Sequence, residues 1–224
     1  MMPSSQISQH DQRTFLLMAT CAFNHLLCID HARTSNKKLI LASQSPRRQE
    51  LLKSLEVPFE IRLKPIDESY PDGMQPAQIA EYIAKKKAEA FSAQLTADEI
   101  LITGDTLVFK NNKALGKPKD AIEAKEMLQL LSGTHHEVIS SVCVTTVHQQ
   151  LVTHDSAKVY FRAFTAAEIA HYIDTYKPFD KAGAYGIQEW IGHIALQKLE
   201  GSYNTVMGLP TQKLYDLLQE LLAA

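Results

Sequence analysis

Short apolar runs and segments of helical periodicity alternate along most of this chain. The first apolar run, residues 39–42, has the length of a buried strand. Ser45 and Pro46 follow as an N-cap and a first helical residue, and Leu51 and Leu52 then begin the apolar stripe of a helix. This stretch therefore predicts a strand, a tight turn and a helix.

The hydrophobic pattern predicts further strands and helices along the rest of the chain. Strands are predicted at residues 59–63, 100–103, 107–109, 137–147, 151–164 and 191–199. Helices are predicted at residues 76–95, between Asp120 and Gly133, at 165–176 and at 211–222. Because strands and helices interleave, the predicted fold class is α/β, with a mixed β-sheet flanked by helices.

Gly104, Asp105 and Thr106 interrupt one apolar run, so the sequence predicts a break between two strands there. Asp105 would then emerge at the end of a strand, a position that often lines a cleft. A plain turn aspartate is the alternative. Farther along, Asn111-Asn112 has the chemistry of a hairpin turn. In the helix after Asp120, the residues predicted to face inward are Ile122, Met127, Leu128 and Leu131.

The composition is ordinary for a soluble globular protein and argues against several classes. Of the 224 residues, 45% are hydrophobic and 21% are charged, and the formal net charge is −2. The lack of a broad basic field argues against non-specific binding to nucleic acid or anionic membranes. No apolar run reaches the roughly 18 residues of a membrane span. Three cysteines without a C-x-x-C pair predict neither a zinc site nor a disulfide framework, and they favour a reducing, cytoplasmic compartment.

Residues 1–38 differ from the rest of the chain. They open on polar residues, contain an apolar patch at 15–29 and end in a second polar segment. Asp11 and Arg13 precede the patch, and no clear small-residue cleavage site follows it. We interpret residues 1–38 as a poorly ordered N-terminal extension, or the product of a start codon placed too far upstream, and residues 39–224 as the folded domain. A weak signal peptide is the alternative.

Arg47 and Arg48 lie in the first turn of the helix that begins after Ser45. The free N–H groups and the macrodipole make this end positive, so each uncompensated cation costs about 0.3–1 kcal/mol. A bound phosphate would reverse the sign of that interaction, because helix N-termini, hydroxyls such as that of Ser43 and guanidinium groups all bind it. The alternative is a pair of solvated arginines that pair with Glu50 or another carboxylate.

Lys87 is a charged residue in an apolar stripe. Ile79, Ile83, Lys87 and Phe91 are spaced four residues apart, so at about 100° per residue each is displaced by only about 40° from the one before. Lys87 therefore lies near the centre of the buried face of its helix. Either its stem reaches the edge of that face, or its ammonium meets an anion inside a cleft.

Asp105, Glu68 and Lys117 are ambiguous individually, because turn aspartates, acidic loops and loop lysines are usually just exposed. With the two arginines and the lysine of the apolar stripe, they supply the charges that a phosphorylated substrate with a divalent metal requires. Neither a P-loop nor a Rossmann glycine motif occurs in the sequence. His135 and His136 face opposite sides of a predicted strand, so we interpret the pair as structural.

Five motifs occur in order along residues 39–222. They are LASQSPRRQELL at residues 41–52, Gly104-Asp105-Thr106, Gly116-Lys117-Pro118, Leu131-Ser132-Gly133 with His136, and DKAGAYGIQ at residues 180–188. Together they resemble the Maf family of nucleoside triphosphate pyrophosphatases. The resemblance implies an inosine-triphosphatase-like α/β fold with two lobes and a central cleft, a nucleoside triphosphate substrate, and products that are the monophosphate and pyrophosphate.

The resemblance also implies a role for individual residues. Asp105 would be the proton acceptor that activates water, and Asp105 with Glu68 would hold a divalent cation, Mg²⁺ or Mn²⁺. The implied phosphate-binding residues are Ser43, Arg48, Lys87 and Lys117, and the residues implied to set base preference are Arg47, Thr106 and Gln188. The mechanistic hypothesis is an in-line attack of water on the α-phosphorus, with the cations stabilising the departing pyrophosphate.

Thr106 and Gln188 resemble the subgroup of the family that acts on dTTP and UTP. A glutamine amide offers a donor and an acceptor, as the O4 and N3–H edge of uracil or thymine requires. Two positions depart from the family pattern: Glu189 stands where many members have glycine, and Thr205 interrupts the usual ending of the Gly-Ser-Tyr-Asn run. The resemblance further implies a homodimer.

Other functions stay open at the level of sequence. The chain could be a nucleotide-binding regulator of cell division or septum formation without significant turnover. It could instead be a pyrophosphatase for modified purine nucleotides such as 7-methyl-GTP. Hydrolysis of dTTP and UTP could extend to modified pyrimidine nucleotides, would limit the incorporation of non-standard nucleotides and could contribute to cell division arrest.

Overall fold

A computed structural model of the chain describes residues 37–111 and 113–223. In these ranges the strands form one mixed sheet of seven, in the order β2-β1-β3-β5-β6-β7, with β4 paired to β3. The strands are β1 (Lys38–Leu41), β2 (Phe59–Ile61), β3 (Glu99–Lys110), β4 (Lys113–Leu115), β5 (His135–Thr145), β6 (Gln150–Phe161) and β7 (Leu196–Glu200).

Helices cover both faces of the sheet. They are α1 (Pro46–Lys53), α2 (Pro76–Glu89), α3 (Ala121–Leu131), α4 (Ala166–Tyr176), α5 (Trp190–Ala195), α6 (Tyr203–Met207) and α7 (Thr211–Ala223). Two short 3-10 turns, Ser92–Gln94 and Ala182–Ala184, lie between these elements. The predicted α/β class, with a mixed sheet flanked by helices, is confirmed. No helix of the described ranges has the length and apolarity that crossing a bilayer requires.

The alternation of side chains along β1 places two helices on opposite faces of the sheet. Leu39 and Leu41 belong to the apolar cluster that includes Leu214 of α7, whereas Ile40 belongs to the cluster that includes Ala84 of α2. Successive residues of a strand point to opposite faces, which accounts for this division. β1 pairs in parallel with β2 and β3, and the remaining pairs are antiparallel.

The predicted break at Gly104 is wrong, because β3 continues through it. Gly104 pairs with Val142 of β5, and Asp105 pairs with Ser141, without any interruption of the register. A Cβ on Gly104 would lie 2.6 Å from the carbonyl oxygen of Ser141, so the glycine permits a close approach of the two strands. Asp105 therefore lies in the middle of a strand and not at its end.

Three other sequence predictions also need correction. Ile122 is 71% exposed, because it lies about half a turn around α3 from the buried Leu131. The segment predicted as a strand from 191 begins as helix α5, where Gly192 packs against the carbonyl of Ile187, and the strand starts only at Leu196. The helix predicted over 76–95 ends at Glu89.

Other local predictions are confirmed. Ser45 caps α1 with Pro46 in its first turn, and Thr165 caps α4 through a capping box with Glu168. Asn111 has a φ of 52° in the turn between β3 and β4, as hairpin turns favour. The N-terminal extension was predicted over residues 1–38, and residues 1–36 lie outside the described ranges. β1 begins at Lys38.

We expect Gly104→Ala to destabilise the fold. Its Cβ would meet backbone atoms of β5, which cannot move without breaking the register, so the free energy of unfolding should fall by about 1–3 kcal/mol. Gly116→Ala is the matched control, because no atom lies within 4 Å of its built Cβ. Urea denaturation followed by circular dichroism measures both. Equal stabilities of the two variants would contradict the packing role of Gly104.

Candidate active site

A gap in strand pairing exposes one edge of β3 at its centre. β1 pairs with β3 as far as Ile102, and β4 pairs with it only from Val108 onwards, while β5 covers the opposite edge throughout. A cavity of about 860 Å³ lies beside this gap, a volume within the range of small-molecule sites. This cavity is the predicted cleft.

The cleft collects every residue predicted to act in the site. These residues come from separate loops, strands and helices: Ser43, Arg47, Arg48, Glu68, Lys87, Asp105, Thr106, Lys117 and Gln188. Their convergence shows which side chains can act on one ligand, while the individual roles stay predictions.

Lys87 projects from α2 into the cleft and meets two carboxylates. Its Nζ lies 2.7 Å from Asp105 Oδ1 and 2.9 Å from Glu68 Oε1. Two buried hydroxyls hold α2 in place. Thr103 donates to the carbonyl of Ala84 and Ser141 donates to the carbonyl of Ala80, each at 2.7 Å. Of the two alternatives for Lys87, the structure therefore shows the ammonium bound to anions.

Glu68 lies at the mouth of this cluster, with its side chain 51% exposed. Partial burial acts to raise the pKa of its carboxyl, but the charges of Lys87, Lys117 and Arg48, with the hydrogen bond from Lys87, outweigh burial and hold the pKa below its ordinary value. Lys117 is exposed and makes no hydrogen bond within the described ranges, so its ammonium is available to a ligand.

Arg48 points inward from the first turn of α1. Its Nε donates to the carbonyl of Gly208 at 2.7 Å, and its two terminal nitrogens donate to Thr106 Oγ1 at 3.0 Å and Ser43 Oγ at 3.3 Å. Burial lowers the pKa of this guanidinium, and the nearby charge of Asp105 opposes that effect. Arg48 is thus fixed in orientation at the base of the cleft.

Arg47 and Gln188 also line the cleft. Arg47 Nη1 lies 3.2 Å from Asp180 Oδ2, so one alternative considered from sequence, a pairing with a carboxylate, holds for this arginine. The amide oxygen of Gln188 is buried and has no hydrogen-bond partner among the described residues. A buried acceptor without a partner is costly, which suits a group that a ligand satisfies.

The residues present fit a divalent cation held partly by substrate. Asp105 and Glu68 contact the same ammonium, so their oxygens lie within two hydrogen-bond lengths of each other. The described parts of the chain contain no group of three or more His, Cys, Asp or Glu side chains able to hold a metal. Mg²⁺ is commonly bound by one or two carboxylates together with substrate phosphates, so this pair is sufficient for that arrangement.

Sequence reasoning left several residues of the site without a role. Asp180 and Lys181 line the cleft, and their signal was the opening of the fifth motif. Ser140 Oγ lies 2.9 Å from Thr106 Oγ1 and donates to the carbonyl of Thr205, which places the unusual Thr205 directly behind Thr106. The Ser140 contact carries no local sequence signal, because β5 pairing creates it.

Of the histidine pair interpreted as structural, His136 lies in the core. His136 is buried, and its Nε2 lies 2.7 Å from the hydroxyl of Tyr185. Burial, with smaller effects of the charges of Lys110 and His135, lowers the pKa of His136 to about 3. His136 is not among the residues that line the cleft, although its Nδ1 is buried without a hydrogen-bond partner among the described residues.

Six cationic side chains, three carboxylates and a helix N-terminus around one cleft form an anion-binding site of the kind that takes phosphorylated ligands. The family model described as Maf-like protein matches residues 38–221 of the chain. The chain therefore belongs to the Maf family.

Similar curated proteins bear the name dTTP/UTP pyrophosphatase. The relative from Flavobacterium johnsoniae is 52% identical over 184 residues, which cover 82% of this chain and 95% of the relative. The relative from Flavobacterium psychrophilum is 52% identical over 180 residues, covering 80% and 92%. The relative from Bacteroides fragilis is 47% identical over 191 residues, covering 85% and 99%.

Two solved structures match part of this chain at low similarity. A nucleoside-triphosphatase, described as a dITP/XTP pyrophosphatase, from Mycobacterium abscessus has a TM-score of 0.34 at 16% identity and covers 55% of this chain and 72% of its own. The Staphylococcus aureus Ham1 protein has a TM-score of 0.37 at 11% identity and covers 56% and 72%. The family assignment rests on the sequence matches.

We expect the two adjacent arginines to differ in their effect on stability. Arg48→Gln removes the shorter of two hydrogen bonds to the buried carbonyl of Gly208, together with the bonds to Thr106 and Ser43, and should lower the free energy of unfolding by about 1–3 kcal/mol. Arg47→Gln breaks a partly exposed pair and should change it by less than about 1 kcal/mol. Urea denaturation of both variants measures the difference. A larger loss for Arg47→Gln than for Arg48→Gln would contradict the assigned geometry.

Proposed function

We propose that this protein hydrolyses dTTP and UTP to the monophosphate and pyrophosphate. The observation that carries the proposal is the contact of Asp105 and Glu68 with Lys87 inside a cleft that also holds Arg48. This arrangement supplies a carboxylate base next to cations that neutralise phosphate charge. The names of the similar curated proteins support the same substrates.

Asp105 is the proton acceptor in this proposal. Its Oδ1 contacts Lys87, whereas no hydrogen bond from the described residues reaches Oδ2. Oδ2 can therefore accept the proton of a water molecule that attacks the α-phosphorus in line with the departing pyrophosphate. Ser43, Arg48 and Lys117, with Lys87, hold the phosphate oxygens and stabilise the charge that builds on the pyrophosphate.

A divalent cation, Mg²⁺ or Mn²⁺, would be held by Asp105 and Glu68 together with the substrate phosphates. When bound, it would supply positive charge that polarises a phosphoryl oxygen. Lys87 contacts both carboxylates, so it keeps them converged on one point of the cleft.

Base preference depends on Gln188 in this proposal. Its unpaired Oε1 suits the N3–H of uracil or thymine, which cytosine does not carry. Thr106 and Arg47 line the same cleft. A cytoplasmic location, a homodimer, a role in cell division and an action on modified pyrimidine nucleotides stay predictions.

We expect Asp105→Asn to abolish pyrophosphate release while nucleotide binding persists. Loss of a general base should lower kcat by about 10²–10⁴-fold. Glu81→Gln is the matched control, since Glu81 pairs with His154 outside the residues that line the cleft. A coupled pyrophosphate assay with dTTP and Mg²⁺ measures turnover, and calorimetry measures binding. Undiminished turnover in Asp105→Asn would show that another group is the base. If the unaltered protein binds dTTP without turnover, a nucleotide-binding regulator is favoured over an enzyme.

We expect Gln188→Leu to weaken selection of thymine and uracil. The loss of one base hydrogen bond should lower kcat/KM for dTTP and UTP by about 10–100-fold, while affinity for pyrophosphate stays unchanged. Gln129→Leu, at an exposed position of α3, is the control. A panel of pyrimidine and purine triphosphates, including 7-methyl-GTP, measures the change. A preference of the unaltered protein for the methylated purine would contradict the proposed substrates.

A further inference from the structure

A buried ammonium beside the cleft joins two carboxylates that the proposed reaction does not use. Lys181 is only 7% exposed. Its Nζ lies 2.7 Å from Asp180 Oδ1 and 3.2 Å from Glu189 Oε1. A buried lysine is strongly unfavourable without such partners, so the ion pair fixes the side chain in place.

One end of this network reaches the segment that carries Gln188. The hydroxyl of Tyr172 donates to Glu189 Oε2 and accepts from the backbone N–H of Gly186 at 2.9 Å. A Cβ built on Gly186 would lie 2.9 Å from the carboxyl carbon of Glu189 and 3.1 Å from Gln188 Oε1. The Glu189 carboxylate and the Gln188 amide therefore both lie close to Gly186.

The other end of the network reaches Arg47. Asp180 Oδ2 lies 3.2 Å from Arg47 Nη1, while its Oδ1 is bound by Lys181. Partial burial acts to raise the pKa of the Asp180 carboxyl, but the hydrogen bond and charge of Lys181, with those of Arg47, hold the pKa below its ordinary value. A charged Asp180 thus connects α1 to the segment at 186–189.

We propose that Lys181 and Glu189 are positioning residues that set the orientation of Arg47 and Gln188 for base selection. The proposal rests on the proposed function, because it concerns the base end of the same cleft. Glu189 lies outside the cleft lining, so it acts through its neighbours and not on the substrate. Lys181 lines the cleft, so a direct contact between its ammonium and phosphate is the competing role that the experiment must separate.

The experiment compares Lys181→Met with Lys198→Met. Lys198 also pairs with a glutamate, Glu200, but on the exposed surface of β7, so it controls for loss of one ion pair. We expect Lys181→Met to reduce the preference for dTTP over dCTP, measured as the ratio of their kcat/KM values, by about tenfold. The change should come mainly from a higher KM for dTTP, because misplaced binding groups lose affinity. Affinity for inorganic pyrophosphate, measured by calorimetry with Mg²⁺, should stay within about twofold.

Two further variants keep the proposal testable if Lys181→Met does not fold. Glu189→Gln retains an acceptor for Tyr172 but weakens the pair with Lys181, and it should reduce the same preference. Lys181→Arg should restore part of it, since a guanidinium can also bridge two carboxylates. Thermal unfolding confirms that each variant is folded.

Each outcome has a definite meaning. An unchanged dTTP preference in folded Lys181→Met and Glu189→Gln overturns the positioning role. A fall in pyrophosphate affinity as large as the fall in dTTP affinity assigns Lys181 to phosphate binding and also overturns it. If the unaltered protein binds dTTP without turnover, the proposed function fails alone, because the ratio of dTTP to dCTP dissociation constants still tests the positioning role. If it binds neither nucleotide, both proposals fail.

Discussion

The close contact of β3 with β5 at Gly104 is the constraint on which the site depends. β5 pairs with one edge of β3 from Leu101 to Phe109, while the other edge has no paired strand between Ile102 and Val108. A residue in the middle of that interval has a backbone held by β5 and lies beside the cleft. Asp105 occupies this position, so the candidate base is held by the sheet and not by a loop, which favours precise positioning.

The cleft beside this edge has a charge opposite to that of the whole chain. Six cationic side chains and three carboxylates line it, although the chain carries a formal net charge of −2. The carboxylates of Asp105 and Asp180 each contact a lysine held close to them, Lys87 and Lys181. These internal pairs hold the carboxylates in defined positions and leave the exposed Lys117 to attract an anionic ligand.

Local sequence patterns predicted the parts of the site that depend on local structure. The cap at Ser45 and the place of Lys87 on its helix follow from helix geometry, which needs no knowledge of the rest of the fold. The break predicted at Gly104 is wrong because the glycine pairs with Val142, 38 residues later in the chain, and this pairing keeps the strand continuous. The bridge from Lys181 to Glu189 was missed for the same reason, since only the folded turn around Gly186 brings the two charges together. The named roles of the site residues came from family resemblance and not from spacing.

In the proposed function, the first turn of α1 divides two tasks between neighbouring residues. Successive residues on a helix point about 100° apart, so Arg48 turns inward to Gly208 while Arg47 turns toward Asp180. Arg48 is tied to Thr106 next to the candidate base, whereas Arg47 is tied through Asp180 and Lys181 to the segment that carries Gln188. A shift of this helix start would therefore disturb phosphate binding and base selection together. A change in the Lys181 network would reach only the second, because no contact of that network includes Asp105, Lys87 or Arg48 in the described residues.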